Sequence, residues 1–86
     1  MENLNEKEFF HATSKQKQEL LRQIGQEILR VRSKQNLTLD RIAVLSGGYI
    51  NKHQLERVEM GKSEPSLYTL IALGLLFNKK LTIRFE

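Results

Sequence analysis

The sequence predicts a mainly α fold of four to five helices, closed by one terminal β-strand. Three observations predict it. Apolar residues recur at three- and four-residue intervals from Leu20 to Val31 and again in shorter segments further on. Asparagine, glycine and proline stand where those segments stop. Residues 79–86 then alternate apolar and polar side chains, the period of a half-buried strand.

Composition narrows the functional classes. A chain of 86 residues without cysteine forms one domain with a thin core and no disulfide or thiolate metal site. His11 and His53 are the only histidines, and they lie far apart in sequence. A zinc site would need carboxylates for most of its ligands, so neither metal nor cofactor is expected. The longest apolar run, "LIALGLLF", is too short to span a bilayer. "MENLNEKEFF" lacks the basic-then-apolar order of a signal peptide, so a cytoplasmic location without a membrane partner is expected. The formal charge is +4. The first ten residues hold three glutamates against one lysine, so the rest of the chain is more basic than the whole, as in a nucleic-acid binder. No nucleophile–base pair, glycine-rich phosphate loop or metal-ligand spacing is visible, so no enzyme is expected; the lone Ser46-Gly47-Gly48 reads as a turn.

Residues 1–13 read as an N-terminal arm, or as a short helix capped by Asn5. Phe9 and Phe10 must be buried on this domain or on a partner. Residues 14–78 form the helical domain. Ser14 reads as the N-cap of a helix of five to six turns whose inner face holds Leu20 or Leu21, Ile24, Ile28 and Val31. Asn36 ends it in the left-handed conformation. Thr38 caps a second, short helix, with Asp40 in its first turn and Leu39, Ile42, Ala43 and Leu45 facing inward. Gly47 and Gly48 break it. Asn51 starts the third helix, with Gln54 as the return arm of a capping box. Leu55 and Val58 point to the core, which leaves Lys52, His53, Glu56 and Arg57 for solvent or a partner. Gly61 ends this helix, and Tyr49 reads as a plug in the turn before it, with a phosphate contact as the alternative. After Pro65, Ser66 caps a fourth helix, apolar nearly all round and therefore central. Asn78 stops it.

In residues 79–86, Leu81, Ile83 and Phe85 form the apolar side of the strand. No other strand is evident. The same strand from a second subunit is the simplest partner for its backbone groups, so these residues are expected at a homodimer interface.

Two short helices joined by a glycine-containing turn, the second carrying polar donors at its start, have the layout of a helix-turn-helix. A helix fits the major groove, and its first turns reach base edges while its amide end favours phosphate. The chain from Ile24 to Leu81 resembles the XRE (Cro/phage-repressor-like) helix-turn-helix regulators. The matching pieces are "IGQEILRVR", "LTLDRIAVLSG", "LERVEMGKSEPS" and "TLIALGLLF", of which Glu59-x-Gly61 followed by Pro65-Ser66 is the most specific. The resemblance implies a repressor-like domain that binds a palindromic operator in double-stranded DNA as a dimer and regulates transcription. It implies base contacts at Lys52, His53 and Arg57, phosphate contact at Asn51, backbone contact from Lys62, and an internal ion pair of Arg32 with Glu59. Thr38, at the amide end of the second helix, joins the DNA-binding set.

The pattern departs from the family twice. The segment from Ala43 to Glu59 is two residues longer than usual, in "SGGYIN". Leu39 stands where many members carry a phosphate-binding glutamine. The tail "NKKLTIRFE" resembles the pairing strand of some antitoxins of this family. That suggests an alternative, an antitoxin that binds a toxin protein and autoregulates its operon; the acidic, aromatic N-terminal arm favours it.

Overall fold

The computed structural model describes residues 3–86, which form four α-helices: α1 (Glu6–Lys34), α2 (Leu39–Leu45), α3 (Lys52–Glu59) and α4 (Leu67–Phe77). The core is a single cluster of Ile28, Ile42, Ile50, Leu55, Val58, Leu73 and Phe77. Ile24, Val31, Leu37, Leu39, Leu70, Ala72 and Leu76 pack around it. No described helix is long and apolar enough to cross a membrane.

Local chemistry explains every helix boundary. Asn5, Thr38, Asn51 and Ser66 each accept a hydrogen bond from a backbone N–H of the first turn that follows. At the other ends, Asn36, Gly47, Gly61 and Asn78 take positive φ. Each lets the next residue donate back into the helix: Leu37 to the Arg32 carbonyl, Gly48 to Ala43, Lys62 to Arg57 and Lys79 to Gly74. These are Schellman closures, and they satisfy carbonyls that a helix end leaves free.

One boundary differs from expectation. Ser14 caps nothing; residues 6–34 are one uninterrupted helix of 29 residues that runs through the expected division at 13/14. The electrostatics of the two candidate starts explain the outcome. Asn5 is followed by Glu6 and Glu8, which suit the positive end of a helix, whereas Ser14 is followed by Lys15 and Lys17, which oppose it. Asn5 and Glu8 also bond reciprocally: the Glu8 N–H donates to Asn5 Oδ1 at 2.8 Å, and Asn5 Nδ2 donates to Glu8 Oε1 at 2.6 Å. Inside the helix, the Thr13 hydroxyl donates to the Phe9 carbonyl at 2.8 Å, so its polar group is satisfied within α1.

The expected terminal strand is absent. Residues 79–86 have no regular secondary structure, and Ile83 and Phe85 are exposed. A strand needs a neighbouring strand for its N–H and C=O groups, and none exists among the described residues. Helix α4 is not the central element either. It buries Leu73 and Phe77 but leaves Leu67, Tyr68, Ile71 and Leu75 exposed. The central element is α3, which packs on both α1 and α2. So small a body has too few elements to cover every face of an apolar helix.

The crossing of α1 and α3 is tight. A Cβ at Gly25 would lie 2.6 Å from the Glu59 carbonyl oxygen and closer still to that of Val58. Only glycine permits this backbone approach. It brings the end of α3 against the middle of α1, which fixes where the start of α3 is presented.

Candidate nucleic-acid interface

Helix α3 is amphipathic over only two turns. Leu55 and Val58 are buried, and Glu59 is mostly so. Helical geometry turns His53, Glu56, Arg57 and Met60 to the opposite side, and all four are exposed.

A bidentate ion pair anchors the buried side. Arg32 Nε donates to Glu59 Oε2 at 2.7 Å and Arg32 Nη2 to Oε1 at 2.9 Å. The remaining branch donates to the Leu37 carbonyl at 2.8 Å. The side chains are only 16% and 7% exposed. The carboxylate of Glu59, hydrogen-bonded to the guanidinium, raises the Arg32 pKa against the opposing effect of burial. This pair joins the end of α1, the loop before α2 and the end of α3.

The turn between α2 and α3 is organised by Ser46. Its Oγ donates to the Ala43 carbonyl at 2.9 Å and accepts from the Ile50 N–H at 3.0 Å. Ile50 fills the space beneath the turn and is buried. Tyr49, expected as the plug, is exposed instead, as is Leu45. The exchange follows from the turn's length: Gly47 and Gly48, both at positive φ, carry the chain far enough for the β-branched Ile50 to reach inward.

The individual site residues separate into groups. Asn51 Oδ1 accepts from the N–H groups of His53 and Gln54, at 2.9 and 3.2 Å. Its carbonyl oxygen is therefore committed to the cap, and its amide NH2 is left to act outward. Thr38 is the equivalent cap of α2, accepting from the Arg41 N–H at 3.0 Å. Lys52 turns aside to Asp40, with Nζ 2.8 Å from Oδ1, so it bridges α3 to the start of α2. The Asp40 carboxylate raises the Lys52 pKa through that hydrogen bond. Arg57 Nε donates to Ser63 Oγ at 3.0 Å, which orients the guanidinium and leaves its terminal NH2 groups unbonded among the described residues. Lys62, in the turn after α3, is exposed.

Gln54 belongs with these groups, although the capping-box pattern assigned it elsewhere. Its side chain makes no return hydrogen bond to the Asn51 amide; it is exposed and borders a cleft of about 450 Å³ between α3 and the start of α4. Arg41, in the first turn of α2, is likewise exposed. Neither has a sequence signature, because both depend on which rotamers the neighbours leave open. Leu81, Ile83 and Phe85 lie in the tail, apart from this face. No cluster of three metal-ligating side chains exists among the described residues.

No protein-family model matches the chain, and no curated protein or solved structure matches it either.

Proposed function

We propose that this protein binds double-stranded DNA sequence-specifically, with α3 in the major groove, as a dimeric transcriptional regulator of the XRE type. In that reading α2, the turn and α3 are the helix-turn-helix. One observation carries the proposal. The exposed first turns of α3 hold His53, Gln54 and Arg57, while its buried side is held by the Gly25 crossing and the Arg32–Glu59 pair. A reading helix needs this combination, because side chains discriminate bases only when the backbone that carries them has a fixed pose.

Roles follow from the geometry. Arg57, steered by Ser63, offers its two terminal NH2 groups to the O6 and N7 of a guanine. Gln54 suits the edge of an adenine, and Glu56 suits a cytosine amino group. Asn51, Thr38, Arg41 and Lys62 serve the phosphates on either side, through side chains and the amide ends of α2 and α3. A twofold dimer would read a palindromic operator with half-sites about one DNA turn, roughly 34–36 Å, apart. The tail residues Leu81, Ile83 and Phe85 supply one contact for that dimer, forming a strand only when paired.

The test begins with selection of bound sites from random duplex DNA, followed by titration of the selected site and of a scrambled one. Arg57→Ala should lose about 1–3 kcal/mol on the selected site and little on the scrambled one. Equal loss on both would make Arg57 a phosphate contact. Failure of every duplex to bind more tightly than micromolar at low salt would end the DNA reading.

A further inference from the structure

We propose that the protein associates with itself through the N-terminal end of α1, which docks into an apolar groove between α1 and α4 of a second copy, reciprocally about a twofold axis. This contact shares Leu81 with the tail pairing but uses neither Ile83 nor Phe85, and it does not depend on DNA binding.

The donor is the projecting end of α1. The helix is about 43 Å long at 1.5 Å per residue, and the whole molecule measures 47 Å along its longest axis. The first three turns therefore extend beyond the body. Phe9 and Phe10 stand there 63% and 68% exposed. Adjacent large aromatics on an otherwise polar, solvated helix mark a surface that is covered in the working state. Glu6 lies on the same side, one turn earlier.

The acceptor is a groove of about 260 Å³ whose apolar wall comes from Ile28, Val31, Leu70, Leu73, Phe77 and Leu81. Its rim holds Glu27, Arg30, Lys79 and Lys80. Glu27 and Arg30 neutralise each other, with Arg30 Nε donating to Glu27 Oε2 at 3.0 Å. Lys79 and Lys80 have no acidic partner among the described residues, so the rim is net positive. An apolar groove edged by two free lysines complements an aromatic pair that has Glu6 on the same side.

Rigidity decides that the occupant comes from another copy. Phe10 and Ile28 sit on one unbroken helix, about 27 Å apart along its axis. The end of α1 cannot fold back into its own groove. A continuous seam links the two features: Phe10, Thr13, Lys17, Leu20, Ile24 and Glu27 follow one another at alternating three- and four-residue steps, a heptad spacing. Laid antiparallel on a second copy, this seam pairs Phe10 with the Glu27 turn, Thr13 with Ile24, and Lys17 with Leu20. Leu20, half-exposed in the single chain, comes next to the twofold axis. Of the seam's two charges, Lys17 is answered by Glu64 at 3.0 Å and Glu27 by Arg30.

The experiment is sedimentation equilibrium of the full chain and three variants, with far-UV circular dichroism to verify the helices. The wild-type chain should dimerise. Phe9→Ser with Phe10→Ser, both exposed and so tolerated by the fold, should raise the dissociation constant at least about a hundredfold. Glu6→Lys, and separately Lys79→Glu with Lys80→Glu, should each weaken the dimer. Mixed one to one, these two charge-reversed chains should associate again, because each end then meets an opposite rim. A wild-type chain that stays monomeric would overturn the proposal and leave the phenylalanines for a different protein. So would a phenylalanine variant that dimerises like wild type, or a mixture no tighter than its parts.

Discussion

Glu59 has its carboxylate almost enclosed, and two hydrogen bonds from Arg32 are what make that tolerable. Such a pair adds little over an apolar replacement of both residues, but removing one partner strands a charge. Arg32→Ala should therefore destabilise the fold by about 3 kcal/mol, read by urea denaturation. Arg32→Lys should recover only part, since an ammonium cannot offer the fork or reach the Leu37 carbonyl at the same time. The sign of the pKa shift on Arg32 adds a pH statement. Its pKa is raised in the folded protein, so the stabilisation is complete below the unfolded value and is lost only as pH rises through the folded one. An arginine value lies so high that stability from this pair should not decline at mildly alkaline pH. Asp40 offers the opposite case, an exposed partner that restrains a cation. Asp40→Asn should release Lys52 and remove a negative charge beside the proposed DNA face. Affinity for random duplex should rise, and the slope of log affinity against log salt should steepen by about 1. An unchanged slope would mean that Lys52 does not reach phosphate even when freed.

Among the elements, α1 and α3 depend on each other most closely. Their backbones meet at Gly25, where any side chain would collide with the Val58 and Glu59 carbonyls. Gly25→Ala should therefore push α3 outward and cost about 1–3 kcal/mol, an overpacking effect that outweighs alanine's better helix propensity. If α3 reads DNA, the same variant should lose operator affinity more than stability alone explains. A melting temperature and operator affinity equal to wild type would show that the helices slide apart without consequence. The four helix starts and stops were legible in the sequence in kind: small polar residues at the starts, Asn or Gly at the ends. Ser14 misled because an N-cap residue type is common, and only the charges that follow it separate a cap from a surface serine. The tail misled for another reason. Alternation marks a segment able to pair, but pairing requires a second strand, and none exists among the described residues.

The molecule as a whole leaves much apolar surface uncovered: the stripe of Leu67, Ile71 and Leu75 on α4, the Phe9–Phe10 end of α1, and Ile83 and Phe85 in the tail. A chain of 86 residues cannot fold any of these inward without losing the contacts that form its core. Self-association through the tail and through α1 makes different demands, so the two are separable. Ile83→Ser with Phe85→Ser alters the tail while leaving Leu81 and the α1–α4 groove intact. If tail pairing dominates, these changes should give a monomer and weaken operator binding; if the α1 contact dominates, the dimer should persist. Sedimentation of that variant beside the Phe9 and Phe10 variant apportions the two.

By itself the sequence determined the helical class, the caps of α2, α3 and α4, the left-handed closures and the polarity of α3, because each depends on residues a few positions apart. It also singled out Arg32 and Glu59, through a family likeness rather than through spacing. Only the tertiary structure decided that the N-terminal end of α1 projects from the body, that Ile50 rather than Tyr49 fills the turn, and that Lys52 bonds to Asp40 while Arg57 is steered by Ser63. It alone decided which side of α4 meets the core. Those outcomes follow from the volume and charge that distant segments bring together, and no local pattern encodes them.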